Sequence, residues 1–137
     1  MSSAALQNLV YAIIQAIHNF GAAAVTGISG FGLMRRGNAA YPPRSILMAL
    51  AIAWAVQGAT GASFGVTTLA FDGKLPDIHG VAVYALFIKM TCVLLGLIVT
   101  AAAIKMRVDA RYPFALAASA SLAAIALGAA AFLRWFS

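Results

Sequence analysis

Four long apolar runs divide this chain, and short polar clusters separate them. The runs extend from about Leu6 to Met34, Ile46 to Phe71, Gly80 to Ile104 and Pro113 to Trp135. Each reaches the roughly 20 residues that a helix needs to cross a hydrocarbon core. Backbone groups in lipid must be satisfied within the segment, and runs this long and unbroken are not barrel strands. The pattern therefore predicts an all-α, polytopic membrane protein with four transmembrane helices, about 6–34, 46–71, 80–104 and 113–135, in one domain over residues 1–137.

The breaks between runs carry the charge. Arg35, Arg36 and Arg44 surround Gly37-Asn38 and Tyr41-Pro42-Pro43, a turn with a proline stop. Asp72, Lys74 and Asp77 make the second break net negative, with one positive charge against two negative. Lys105, Arg107, Asp109 and Arg111 make the third net +2, and Pro113 suits the first turn of the helix that follows. Basic loops stay on the cytoplasmic side, so loops 35–45 and 105–112 are expected there, with both termini on the outer, periplasmic side of a bacterial-type inner membrane. Arg134 is an exception to that rule, beside Trp135 and Phe136, which read as interfacial anchors. Short connections predict an antiparallel up-down bundle.

Composition agrees with this reading. Hydrophobic residues make up 64% of the 137 and charged residues only 9%, far from the roughly 25% charged of a soluble domain. Glu is absent and Asp occurs three times, so a water-soluble globule is excluded. The basic residues behind the net charge of +6 cluster at helix ends, which fits retention at the cytoplasmic face and argues against nucleic acid as a partner. The single cysteine cannot form an internal disulfide. No Lys or Arg precedes the first apolar run, so that run lacks the charged start of a signal peptide and is expected to be retained.

Ionisable residues at membrane depth are costly and mark functional hypotheses. Aligning the helices by a rise of ~1.5 Å per residue brings His18, Gln57, Lys89 and Cys92 within about one helical turn of a common plane. Tyr11, Gln15, His18, Ala22, Thr26 and Ser29 recur at three and four residues and form a polar stripe on the first helix. Lys89, Cys92, Gly96 and Thr100 do so on the third, and Gln57 shares a face with Thr60 on the second. These stripes are expected to converge on the bundle interior as a polar layer of Gln15, His18, Gln57 and Lys89. The carboxamides and hydroxyls also suit plain interhelical hydrogen bonds. Gly27, Gly30, Gly32, Gly58, Gly61, Ala62 and Gly65 stand at the small-residue spacing of packed membrane helices.

His79, at the outer start of the third helix, is about 18 Å in depth from His18. One haem iron cannot take both, so a bis-histidine haem is disfavoured and haem ranks below copper as a cofactor. Near Asp72 and Asp77, His79 suggests an outer metal-capture site, against the plainer role of a helix cap. Cu(I) favours thiolate, thioether and imidazole, which His18, Cys92 and Met90 together supply.

The stretch IHNFGAAAVTGISG, with His18 and Gly27 and followed by Arg35-Arg36, resembles the histidine-bearing helix of the copper-resistance protein D type. The segment HGVAVYALFIKMTCVLLGLIVTAAAIK, from His79 to Lys105, is similar to that family's helix with glycine and lysine and a basic end. The resemblance covers the first and third helices, about half the chain. It implies a four-helix inner-membrane protein that handles or transports copper, with His18 and Lys89 at matching family positions.

A second expectation is a small accessory subunit of a respiratory or photosynthetic-type membrane complex, packed on other membrane helices and contacting quinone or haem through the polar layer. A four-helix multidrug exporter needs a carboxylate within the membrane, and no Asp or Glu lies inside a predicted span. Paired carboxylates, nucleophile–base pairs and recognised metal-ligand spacings are absent from the sequence, so the chain is not expected to be an enzyme.

Overall fold

The computed structural model describes residues 2–35, 43–106 and 108–136, with side chains described from Arg111 onward in the last helix. It contains α1 (Ser3–Met34), α2 (Pro43–Asp72), α3 (Val81–Lys105) and α4 (Val108–Phe136). All four are long and apolar enough to cross a membrane. The chain is all-helical across the described residues and is a multi-pass membrane protein by the length and composition of its helices.

The ends follow from local chemistry. Ser2 caps α1 by accepting a hydrogen bond from the Ala5 amide at 3.2 Å. Gly73 ends α2 at a φ of +68°, a left-handed conformation that glycine adopts without steric cost, and its amide reaches back to the Leu69 carbonyl at 3.0 Å. Gly80 opens α3 at a φ of +55°.

One boundary differs from expectation. α4 begins at Val108, so Pro113 lies inside the helix and not in its first turn. Only residues 106 and 107 separate α3 from α4. Pro113 is tolerated because its ring is exposed and it forfeits a single bond close to the helix start. The expected loop 105–112 is thus mostly helix. Most of the expected loop 35–45 lies outside the described residues.

The helices pack in the ring order α1–α2–α3–α4, with α4 closing on α1. Along α1 and α2, Gln7 meets Asp72, Tyr11 meets Thr68, and Gly32 faces Ile46. The core is built on Trp54, Leu47, Leu50 and Leu116, all fully buried, with Val25 beside them. Small residues let the large ones in. A Cβ on Gly96 would sit 2.3 Å from the Trp54 ring, and one on Gly32 would sit 2.8 Å from Leu116. The outer surface is the apolar one, with Phe20, Ile52, Phe87, Leu94, Ile98 and Ile125 each at least half exposed. That inversion suits lipid as the solvent.

Candidate functional site

His18 lies at the middle of α1 and is 6% exposed. Its neighbours come from two other helices. Thr60 of α2 stands with Oγ1 2.7 Å from His18 Nδ1. Lys89 of α3 stands with Nζ 2.9 Å from His18 Nε2. The edge of Phe64 closes on the imidazole, ring centroids 5.7 Å apart in a T-shaped pair.

The directions follow from Lys89, whose ammonium has three N–H donors and no acceptor, so that His18 Nε2 accepts from it. His18 Nδ1 is therefore the protonated nitrogen and donates to Thr60. The Thr60 hydroxyl donates in turn to the Val56 carbonyl at 2.6 Å, which leaves its oxygen to accept. The result is a directed relay: Lys89 donates to His18, His18 to Thr60, and Thr60 to the backbone of α2.

Geometry makes this relay unusual in the bundle. α1 and α3 sit diagonally opposite, and their backbones do not approach among the described residues. The long lysine side chain spans that gap, and Lys89–His18 is the one hydrogen bond between α1 and α3 among the described residues. Gln57 reinforces the same level from α2, its amide nitrogen donating to the His18 carbonyl. Gly21 makes room for it, since a Cβ there would lie 2.5 Å from Gln57 Nε2. About two turns along α1 from His18, Tyr11 stacks on Phe64 with centroids 6.2 Å apart and donates to Thr68, whose own hydroxyl is spent on the Phe64 carbonyl.

Of the expected polar layer, His18, Gln57 and Lys89 come together and Gln15 does not. Gln15 is exposed and donates to Asn19 Oδ1 on its own helix at 2.7 Å. Thr26 likewise turns back to the Ala22 carbonyl on its own helix. Of the interhelical hydrogen bonds expected at Gln15, Gln57, Thr26 and Thr60, those at Gln57 and Thr60 form. Thr60, expected on the face of Gln57, joins the site, and Phe64 completes it as a residue the sequence did not single out. Thr60 follows Gln57 by three residues, the spacing that shares a helix face.

Two of the expected metal ligands, Cys92 and Met90, point apart. Cys92 is buried, while Met90 points outward and is 58% exposed. Two residues apart on a helix, they face about 200° around the axis from one another. As arranged, His18 has no nitrogen lone pair to offer a metal, because Nε2 accepts from Lys89 and Nδ1 carries a proton. Among the described residues no group of three His, Cys, Asp or Glu side chains could hold a metal ion. The outer trio is also divided: Asp77 pairs with His79 at 3.1 Å, both well exposed, and Asp72 takes the Gln7 amide at 3.1 Å.

No protein-family model matches the chain, and neither a curated protein nor a solved structure matches it.

Proposed function

We propose that this chain is a four-span membrane subunit without catalytic chemistry of its own, and that the Lys89–His18–Thr60 relay is the contact it offers to a quinone of a larger membrane complex. The observation that carries this reading is the relay's direction. Lys89 is half-buried among three apolar helices and spends one N–H on His18, which leaves donors for a second acceptor. A quinone carbonyl is such an acceptor, dissolves in lipid, and gains from a hydrogen-bond donor in a medium where water supplies none.

In this reading the helices form an antiparallel up-down bundle, supported by the pairing of Gln7 with Asp72, Tyr11 with Thr68 and Gly32 with Ile46. Both termini lie on the outer side of a bacterial-type inner membrane, supported by the arginines and lysines collected at residues 35–44 and 105–111. The test is titration of a short-chain quinone into the detergent-extracted chain, read by quenching of Trp fluorescence. Saturable quenching that weakens at least tenfold in Lys89→Met supports the proposal. Equal affinity in the two proteins overturns it.

Copper handling of the copper-resistance D kind is the second reading. Its support is that Cys92 is buried and, three residues from Lys89, shares that residue's side of α3. It requires Lys89 to release Nε2, and Met90 takes no part. Stoichiometric copper in the extracted chain, lost in His18→Ala, would carry it over the quinone reading. Iron with a haem spectrum would instead make the subunit a haem carrier with a second ligand from a partner.

A further inference from the structure

The outer face of α1 holds polar groups that the bundle does not satisfy. Gln15 and Asn19 lie near the middle of α1, at the depth of His18, and both are exposed. Their mutual hydrogen bond uses one N–H of Gln15 and the oxygen of Asn19. The Asn19 amide nitrogen and the Gln15 oxygen then have no partner among the described residues. In hydrocarbon each such group is costly to leave unpaired, since no water is present to replace the missing bond.

The surface around and beyond Asn19 is shaped to receive a helix. Asn19, Ala22, Ala23, Thr26 and Gly27 line an open groove of about 580 Å³, bounded on α4 by Leu127. A Cβ at Gly27 or Gly30 would meet nothing within 4 Å. On the other side of the same helix, Gly21 and Gly32 are filled by Gln57 and Leu116. α1 therefore carries two rows of glycine, one consumed inside the bundle and one left open. Ala23 with Gly27 has the small-residue spacing that lets membrane helices approach closely.

We propose that the occupant is a second copy of this chain, related by a two-fold axis along the membrane normal, with α1 packed on α1 and Asn19 of each copy donating to Gln15 of the other. The argument is self-complementarity. Each copy has a free donor in Asn19 and a free acceptor in Gln15, so two copies satisfy both groups at once. Copies inserted with the same orientation present α1 in parallel, which brings residues 15–19 of the two chains to one depth. An isologous contact of this kind closes at two subunits. The proposal is independent of the quinone reading, since Lys89 and His18 face the interior.

The test uses the whole chain in lipid vesicles, with Cys92→Ala as background and single cysteines at Ala23→Cys or, on the exposed side of α2, Ile52→Cys. Oxidation is expected to link Ala23→Cys into dimers and to leave Ile52→Cys monomeric. Energy transfer between labelled chains, followed as lipid is diluted in, is expected to show dimer dissociation at least tenfold weaker in association for Gly27→Leu. Asn19→Leu gives a second variant that leaves the glycine row intact, and it should weaken association in the same direction. A chain that stays monomeric at the highest protein-to-lipid ratio overturns the proposal and leaves the groove to a helix of another protein or to lipid. So does a dimer that links through Ile52→Cys, or one that neither Gly27→Leu nor Asn19→Leu weakens.

Discussion

Replacing Gly96 by alanine puts the packing of α2 on α3 to a direct test. The new Cβ would stand 2.3 Å from Trp54 Cε2, 2.6 Å from Cδ2 and 2.7 Å from Cζ2. Carbon atoms pack at about 3.5–4.0 Å, so the helices must part by roughly 1 Å or the indole must swing away. Overpacking of that kind costs about 1–3 kcal/mol. A swung indole also loses its bond from Nε1 to Ser119 Oγ, 3.4 Å long in a fully buried site, which costs about 1–3 kcal/mol more. Against this, alanine gains about 1 kcal/mol over glycine in a helix. The expected balance is a loss of about 1–5 kcal/mol. Unfolding in mixed micelles, followed by the fluorescence of Trp54 in a Trp135→Phe background, measures it. Gly65→Ala is the control, because a Cβ there meets nothing within 4 Å, and it should be neutral or gain up to about 1 kcal/mol. Equal stability of Gly96→Ala and Gly65→Ala, with unmoved Trp54 emission, would refute the reasoning.

Other substitutions address the relay and its surroundings. His18→Ala strands the Lys89 amine and the Thr60 hydroxyl oxygen within the membrane, so it should cost about 3 kcal/mol or more by the same unfolding assay. Lys89→Met strands only one imidazole lone pair and should cost about 1–2 kcal/mol, and a larger loss than for His18→Ala would contradict the assigned bond directions. Gly21→Ala drives its Cβ into Gln57 and should destabilise by about 1–3 kcal/mol, a loss that Gly21→Ala combined with Gln57→Ala should largely recover. Tyr112 is 5% exposed and its hydroxyl has no partner among the described residues, so Tyr112→Phe should raise stability by about 1 kcal/mol, read as a later unfolding midpoint.

Depth was legible in the sequence and direction around the helix was not. Apolar run length located all four helices to within about five residues. A common rise per residue then placed His18, Gln57 and Lys89 at one level, where they are found together. The stripe on α1 failed at finer resolution. At about 100° per residue, Gln15 and Thr26 lie some 40–60° around the helix from Tyr11 and Ser29. That small angle separates the buried side of Gly21, Val25 and Ser29 from the exposed side. A spacing of three or four residues tolerates such drift, so it could not tell an inward carboxamide from an outward one. The glycines were ambiguous for the same reason: Gly21, Gly32 and Gly96 pack inside, whereas Gly27, Gly30 and Gly65 face open space. Composition counts small residues but does not say which large residue fills each one. Trp54 on Gly96 is a match between residues far apart in sequence on two helices, in no local pattern, visible only once the helices are assembled.

The lysine that crosses the diagonal has a consequence for how the protein is made. Synthesis runs from the N-terminus, so the helix carrying His18 leaves the ribosome first and the helix carrying Thr60 second. Lys89, the residue most averse to lipid, emerges only on the third. When that helix enters the bilayer, the acceptor it needs is already in place, and the threonine that orients the acceptor stands beside it. Reordering the helices by circular permutation, so that α3 is made first, would send the lysine into lipid with nothing to receive it.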